Sequence, residues 1–290
     1  MSANISVIIP TLGDNHILET IYYLNKSSLK PYEIILCIPD SISYKVNHIV
    51  DKNVKLLETK RFGQVYQRAE GFKCAKSDYV LQLDDDILIE ERCIEILVKL
   101  ISSMKDESAV APTLLEKKSK KNIYYKNINN LFIKIYYWLI NGNDGYKPGT
   151  ITKAGTCIGI NTDIVNEKLS QTQWLAGGCI LHKKDNLIFN DYYPFKKKAY
   201  SEDLIHSHYL SKKFIRLFIA KDAKCYVDTE IKHHKKSLSE FFKWLILDFK
   251  ARNYFLNLLS KNKFHMIIYY LKEILLFICM KVLSLIKVIK

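Results

Sequence analysis

Over its first 115 residues the chain shows a regular alternation of short apolar runs with amphipathic segments. Five of the apolar runs have the length of strands, at 5–10, 32–39, 54–59, 79–84 and 109–115. Three of the segments between them have apolar residues at helical spacing, at 14–28, 63–76 and 91–104. Alternation of short apolar runs with helices is typical of α/β folds and indicates a parallel sheet covered on both faces.

Polar residues follow three of the predicted strands, at the point where each strand ends. They are Pro10-Thr11, Pro39-Asp40 and Asp84-Asp85-Asp86. In open α/β sheets, ligands bind beyond the carboxyl ends of the strands. The sequence therefore predicts a ligand site at this edge of the sheet.

The three adjacent carboxylates need a cation or fixed donors to compensate their charge. In an extended chain alternate side chains share a face, so Asp84 and Asp86 would point together and Asp85 away. Oxygen ligands suit Mn²⁺ or Mg²⁺, and such an ion offsets the charge of a departing diphosphate. The alternative is a helix start, where acids are favoured. That alternative explains Glu90 and Glu91 well, but it explains three acids directly after an apolar run poorly.

Positive charge is concentrated in the later part of the chain. Residues 1–110 carry 13 Lys/Arg and 16 Asp/Glu, a net −3, whereas residues 111–290 carry 31 and 14, a net +17. Residues 264–290 are very apolar but are interrupted by charges such as Lys272 and Lys281, whereas a spanning helix needs about 20 predominantly apolar residues. We therefore expect C-terminal amphipathic helices that attach peripherally to an anionic membrane surface. A helix packed on the domain or in a dimer is the alternative.

The seven cysteines are scattered, without a C-x-x-C pair or a Cys/His cluster. This argues against a zinc site and a disulfide framework and fits a reducing compartment. The N-terminal residues have no basic stretch of the kind that begins a signal peptide. The expected location is cytoplasmic, peripheral on the inner face of the plasma membrane.

Two stretches together resemble the nucleotide-sugar-binding half of family 2 glycosyltransferases, which have the GT-A fold. They are "SVIIPTLGDNHILETIYYLNKSSLKPYEIILCIPD" and "RFGQVYQRAEGFKCAKSDYVLQLDDD". The resemblance lies in the order and spacing of four elements: a strand that ends in Pro-Thr, a strand that ends near an Asp, an Arg-rich helix start and an aspartate-x-aspartate (DXD) motif. The resemblance covers residues 4–115 and continues more weakly to 235. It implies a Rossmann-like mixed sheet with helices on both faces.

The resemblance implies roles for the residues at the strand ends. The implied donor-binding residues are Pro10, Thr11, Asp40, Arg61, Asp84 and Asp85. Asp86 would be the main ligand of Mn²⁺ or Mg²⁺, together with Asp84. One departure is "CIPDSIS" at the second strand, where the family commonly has two acids and a Gly-Ser turn.

The resemblance also implies an acceptor side. In "AYSEDLIHSHYL" (199–210) the family has a Glu-Asp pair, which makes Asp203 the base that deprotonates the acceptor hydroxyl and Glu202 its catalytic neighbour. In-line attack would invert the anomeric carbon. The alternative is an ordinary helix start after Ser201.

The resemblance implies roles for two further sets of residues, and each set has a structural alternative. Trp174, Gly177 and Gly178 would line the acceptor site, or they are a core tryptophan and a turn. His234, in preference to His233, would be a further metal ligand, or both are surface histidines in a basic run.

The predicted organisation is a nucleotide-sugar-binding half (1–115), an acceptor-binding half (116–235) with an insertion at 116–150, and a basic apolar helical tail (236–290). The predicted activity is that of an inverting, metal-dependent glycosyltransferase of hexosyltransferase type. It would move a sugar from a nucleotide-diphosphate donor to a glycan or lipid-linked acceptor in surface polysaccharide synthesis, such as lipopolysaccharide or capsule.

Two other functions compete with this prediction. A sugar nucleotidyltransferase would need a Gly-rich basic loop after its first strand, which "PTLGDNHILET" lacks. A non-catalytic protein that binds a membrane surface or nucleic acid would suit the basic half, but no nucleic-acid module is recognisable and the acidic edge would repel phosphate. The expected partners are the donor, the acceptor and an anionic membrane, and not nucleic acid.

Overall fold

The computed structural model of the protein describes residues 4–126, 130–195, 199–228 and 237–289, with side chains described to residue 284. Its strands are β1 (Ile5–Pro10), β2 (Glu33–Pro39), β3 (Val54–Thr59), β4 (Tyr79–Leu83), β5 (Leu88–Ile89), β6 (Ser108–Glu116), β7 (Leu169–Thr172), β8 (Cys179–Lys183) and β9 (Arg216–Val227). Its helices are α1 (His16–Asn25), α2 (Gln64–Cys74), α3 (Cys93–Ser103), α4 (Leu131–Asn141), α5 (Glu202–Lys212), α6 (Leu238–Leu258) and α7 (Phe264–Ile289).

The described strands form one mixed sheet in the order β3-β2-β1-β4-β8-β6-β9-β5, with β7 paired to β9. β1 pairs in parallel with β2 and β4, and β2 pairs in parallel with β3. β8 runs antiparallel to both β4 and β6, and β9 is parallel to β6 but antiparallel to β5 and β7. The prediction of a mixed α/β sheet is therefore confirmed.

The central strand β1 is apolar along its whole length because it is covered on both faces. All six of its residues are buried, as expected for a strand inside a parallel sheet. On one face α2 approaches very closely at Gly71, where a Cβ would stand 2.4 Å from Cγ2 of Ile8 and 2.5 Å from Sγ of Cys37. This approach brings the polar side chains of α2 to the ends of β1 and β4.

The chain divides into two compact units. The sheet unit, which contains every described strand, comprises Met1–Tyr125 and Ile160–Asp228. The helical unit, which contains α4, α6 and α7, comprises Lys126–Gly159 and Thr229–Lys290. The predicted insertion and the predicted tail thus contribute to one unit. The predicted donor and acceptor halves are a functional division, and they stay a prediction.

The helical unit is built around an antiparallel pair of helices. The rings of Phe241 on α6 and Phe277 on α7 stack with centroids 3.9 Å apart. Nearer the connection between the helices, Arg252 donates to both carboxylate oxygens of Asp248, and the Tyr270 hydroxyl donates to the same carboxylate at 2.7 Å. The prediction of helices at the C-terminus is confirmed. Within the described part of the chain, no helix combines the length and apolarity needed to cross a bilayer.

Candidate active site

The three consecutive aspartates lie in a turn directly after β4. The strand ends at Leu83, and the backbone N–H of Ile87 donates to the carbonyl of Asp84 at 3.4 Å. The expectation of an extended chain was therefore wrong at this point. The turn gives each aspartate different surroundings.

Asp84 is held from the side of α2. Its Oδ1 accepts hydrogen bonds from Nη2 of Arg68 and Nε2 of Gln64, both at 3.0 Å. Burial raises the pKa of Asp84 to about 6; Arg68 and Gln64 oppose the shift, while Glu202 and Asp86 add to it. Its Oδ1 is thus occupied by protein donors.

Asp85 faces away from Asp84 and fixes the turn to the end of β1. Its Oδ2 accepts from Oγ1 of Thr11 at 2.5 Å, and its carbonyl accepts from Oγ1 of Thr20 at 2.8 Å. Burial raises the pKa of Asp85, and the Thr11 bond opposes that shift. Asp86, by contrast, is exposed, and no described residue donates a hydrogen bond to its carboxylate. The turn therefore offers Asp86 to a ligand.

The predicted Glu-Asp pair begins α5. The helix starts directly after Ser201 with both acids in its first turn, as the alternative also expects. Ser201 has a left-handed conformation (φ 54°), however, and its side chain makes no capping hydrogen bond. Glu202 is 6% exposed; its Oε1 accepts from Nη1 of Arg68 at 3.0 Å and its Oε2 from the Tyr192 hydroxyl at 3.1 Å. Asp203 is half-buried, and its Oδ1 accepts from the N–H of Leu204 at 2.9 Å.

Gly177 and Gly178 lie between the turn and this helix start. A Cβ on Gly177 would stand 2.4 Å from Oε1 of Glu202 and 3.5 Å from Cβ of Asp203, and one on Gly178 would stand 3.3 Å from Oδ2 of Asp84. The carbonyl of Gly178 also accepts from the N–H of Asp84 at 2.8 Å. Close backbone approach at these glycines is therefore real, and it brings the two acidic groups of the site together.

Trp174, unlike Gly177 and Gly178, is packed in the core. It is 4% exposed, and its ring meets the edge of Tyr124 at a centroid distance of 5.9 Å. This favours the alternative of a core tryptophan over stacking on a sugar.

The remaining donor candidates lie at the strand ends. Pro10 and Thr11 are buried at the end of β1, whereas Asp40 is exposed after β2 and its Oδ1 accepts from the N–H of Ser41 at 2.6 Å. Nη2 of Arg61 donates to Oδ2 of Asp191 at 2.6 Å. His233 and His234 lie outside the described residues.

The sequence reasoning missed the side chains of α2 that connect these groups. Arg68 is 2% exposed, and Gln67 donates to the carbonyls of Thr11 at 2.9 Å and Cys37 at 2.7 Å. The sequence did contain a sign of this, because Arg68 lies on the same helical face as the apolar residues Val65 and Phe72. An arginine on an apolar helix face indicates a buried charge that needs acidic partners.

The donor set fits a hard divalent cation that is shared with a substrate. Among the described residues, no group of three or more His, Cys, Asp or Glu side chains could hold a metal ion by itself. Asp86 is exposed, and the second oxygen of Asp84 has no protein donor among the bonds that hold its carboxylate. One or two carboxylates completed by substrate phosphates is the usual arrangement for Mg²⁺ and similar ions.

The mixed sheet with helices has the GT-A fold, as the comparisons with solved structures show. A crystal structure of GalNAc-T7 with UDP, GalNAc and Mn²⁺ matches with a TM-score of 0.57 and 16% identity, over 79% of this chain and 44% of that chain. The mannosyltransferase PcManGT from Pyrobaculum calidifontis, in complex with GDP-Man and Mn²⁺, matches with a TM-score of 0.54 and 14% identity, over 93% of this chain and 70% of that one. The predicted GT-A fold is confirmed, and the chain spans less than half the length of GalNAc-T7.

The sequence itself identifies the family. Residues 6–168, more than half of the chain, match the family described as "Glycosyl transferase family 2". The chain belongs to glycosyl transferase family 2. No curated protein matches the sequence significantly. The predicted family and the predicted class of enzyme, a glycosyltransferase, are confirmed.

Proposed function

We propose that the protein transfers a sugar from a nucleotide-diphosphate sugar to an acceptor hydroxyl, with inversion at the anomeric carbon. The observation that carries the proposal is the convergence of the turn after β4 and the start of α5 around Gly177 and Gly178. Donor chemistry needs exposed carboxylates, and acceptor chemistry needs a base nearby. Both occur within one site of the sheet unit.

A nucleotide sugar as donor is supported by the fold neighbours, because GalNAc-T7 was solved with UDP and Mn²⁺ and PcManGT with GDP-Man and Mn²⁺. Asp86 and Asp84 would hold Mn²⁺ or Mg²⁺, and the role of His234 stays a prediction because that residue lies outside the described part of the chain. When bound, the ion supplies positive charge to the departing diphosphate.

The donor-side residues have distinct tasks in this proposal. Thr11 and Asp85 hold the turn in place at the end of β1 through their hydrogen bond. Asp40, exposed after β2, is available to the base or ribose. Arg61 is exposed beside the start of α2 and would help enclose the nucleotide after exchanging its contact with Asp191.

Asp203 is the proposed base. An alcohol is a poor nucleophile, and a positioned carboxylate removes its proton as the new bond forms. Asp203 lies in the first turn of α5, a position that favours acidic residues. Attack from the Asp203 side, opposite the diphosphate, inverts the anomeric carbon. Gly177 and Gly178 let the backbone pass close to Glu202 and Asp84, which keeps the proposed base near the donor-binding turn.

The test compares Asp203→Asn with Asp222→Asn, an exposed aspartate on β9 outside the site. Release of nucleoside diphosphate and formation of the glycosylated product are followed for a panel of UDP- and GDP-sugars with glycan acceptors. Loss of the base lowers kcat by about 100- to 10,000-fold, and the control keeps its activity. Equal rates for both variants would refute the assignment of Asp203.

We also propose that the helical unit attaches to an anionic membrane and that the acceptor is lipid-linked. α7 exposes an apolar stripe in which successive residues are three or four positions apart, which is one helix face. The stripe comprises Phe264, Ile267, Leu271, Leu275, Ile278 and Val282, each between 48% and 62% exposed. Large exposed apolar surfaces of this kind mark binding sites for a protein or a membrane.

Two other helices of the unit support a lipid surface as the partner. α6 exposes Leu238, Phe242, Ile246 and Phe249, and α4 exposes Leu131, Phe132, Ile135 and Trp138. Exposed lysines accompany both stripes, at Lys134, Lys243 and Lys250. Apolar side chains beside lysines suit an anionic headgroup layer. The proposed location is cytoplasmic, at the inner face of the plasma membrane, and the proposed role is synthesis of lipopolysaccharide or capsule.

The membrane proposal is tested by co-sedimentation with vesicles of neutral or anionic lipid. The double variant Leu271→Glu/Leu275→Glu should release the protein from anionic vesicles. Val50→Glu, at a single residue of the sheet unit that is 86% exposed, is the matched control and should bind as wild type. A dimer in solution that the double variant dissociates, without vesicle binding by the wild type, would contradict the proposal.

A further inference from the structure

Arg68 joins the two acidic groups of the site through one guanidinium group. It lies on α2, and its Nη2 donates to Oδ1 of Asp84 while its Nη1 donates to Oε1 of Glu202, both at 3.0 Å. Glu202 is 134 residues further along the chain. A buried arginine is tolerated only where acidic partners compensate the loss of hydration. Here the two partners belong to the two separate elements that the reaction needs.

The surroundings of Glu202 hold it to this single arrangement. Its second oxygen accepts from Tyr192, whose ring stacks on His206 with centroids 5.7 Å apart and planes 10° apart. His206 in turn meets the edge of His182 at 5.5 Å. Burial lowers the pKa of both histidines, so they are neutral and do not compete with Arg68 for the carboxylate. The absence of a side chain at Gly177 leaves the space that Oε1 occupies.

We propose that Arg68 is a positioning residue that sets the distance between the donor-binding turn and the helix start that carries Asp203. Glu202 is the anchor of Arg68 on the acceptor side and is not a second base. The proposal rests on the transfer reaction proposed above.

The planar fork of arginine is what this task requires. It presents two donors in a fixed geometry, whereas a lysine is a single charge on a flexible stem. The reacting atoms of donor and acceptor must approach to about 3–3.5 Å, and a misplacement of about 1 Å lowers the rate about 100-fold. An error in the separation of the two elements therefore appears in kcat, while the donor still finds the exposed Asp86.

The first test is Arg68→Lys, which keeps the charge but cannot hold both carboxylates. We expect kcat for transfer to fall about 100-fold while the donor KM stays within about threefold of wild type. The matched control is Arg252→Lys, in which a buried arginine of the helical unit loses its contact with both oxygens of Asp248. It should lower the melting temperature and leave kcat unchanged. A kcat of Arg68→Lys within about threefold of wild type overturns the proposal.

The second test separates an anchor from a base. Glu202→Gln keeps an oxygen that accepts from Arg68 or Tyr192, so a residual kcat within about 30-fold of wild type is expected for a positioning role. Glu202→Ala removes the anchor and should match Arg68→Lys. Complete loss of transfer in Glu202→Gln, with Asp203→Asn still active, would overturn the proposal.

A stability measurement tests the link between Asp84 and Glu202 through Arg68, and it requires neither an activity assay nor a bound metal ion. Because Asp84 and Glu202 share one cation, the effects of Asp84→Asn and Glu202→Gln on urea denaturation should be non-additive in the wild-type background. The size of this coupling should change once Arg68→Met removes the link, because only the direct repulsion between the two carboxylates then remains. An unchanged coupling overturns the proposal. Additive effects in the wild-type background overturn the proposal. A wild-type protein that transfers no sugar refutes the proposed function alone, and the stability cycle then still tests the link through Arg68.

Discussion

Replacement of Gly177 by alanine tests whether the site depends on the space beside Glu202. The added Cβ would stand 2.4 Å from Oε1 of Glu202, whereas ordinary contact begins at 3.4 Å. The oxygen must therefore retreat by about 1 Å, which stretches its 3.0 Å bond with Nη1 of Arg68 beyond hydrogen-bonding distance. A hydrogen bond to a charged group contributes about 1.5–3 kcal/mol. We expect the free energy of unfolding to fall by that amount in urea denaturation.

A second background makes the result specific to Glu202. In Glu202→Ala the obstructing carboxylate is gone, so Gly177→Ala should then cost less than about 0.5 kcal/mol. The difference between the two backgrounds measures the clash itself. If Gly177→Ala destabilises both backgrounds equally, the close approach of Gly177 to Glu202 is not what makes a glycine necessary there.

Two further predictions concern the scaffold of the site. Gly71→Ala forces a Cβ to 2.4 Å from Ile8 and 2.5 Å from Cys37. The cost of overpacking, about 1–3 kcal/mol, outweighs a gain in helix propensity of about 1 kcal/mol, so thermal denaturation should show a lower melting temperature. An unchanged or higher melting temperature would contradict the close packing at Gly71. Burial lowers the pKa of His206 to about 3 from its ordinary 6.5. Below pH 6.5 the unfolded chain therefore binds a proton at this residue that the folded protein does not bind. The free energy of unfolding consequently falls as the pH is lowered from about 6.5 toward 3. At pH 5 this residue contributes roughly 2 kcal/mol of that loss. In His206→Phe the difference in free energy of unfolding between pH 7 and pH 5 should be smaller by that amount. An unchanged difference would contradict a lowered pKa of His206 in the folded protein.

The first half of the fold could be predicted because its signals are local. Apolar runs such as Ile5–Pro10 and Val54–Thr59 are strands at the predicted positions, and the segment predicted as a helix at 91–104 contains α3. Strand β5, with two residues, is too short to show any periodicity.

The site could be predicted only in part. Its acidic residues are visible in the local sequence, but the hydrogen bonds that join them to distant elements are not. Carboxylates at the ends of strands are visible in the sequence, and the structure brings Asp84, Glu202 and Asp203 together. The contacts of Arg68 with residues from two other elements depend on tertiary packing, which no local pattern encodes. The turn at Asp85 and Asp86 was missed for the same reason, since its hydrogen bonds come from Thr11 and Thr20.

We infer that the turn after β4 binds the diphosphate of the donor through a divalent cation, and calorimetric titration measures this binding. UDP and GDP are titrated into the wild type and into Asp86→Asn, each with Mn²⁺ and with a chelator. We predict that Mn²⁺ strengthens binding of at least one nucleotide to the wild type and that Asp86→Asn abolishes this dependence. Binding that is equally tight with and without Mn²⁺, or an Asp86→Asn variant that keeps the full metal dependence, would contradict the claim.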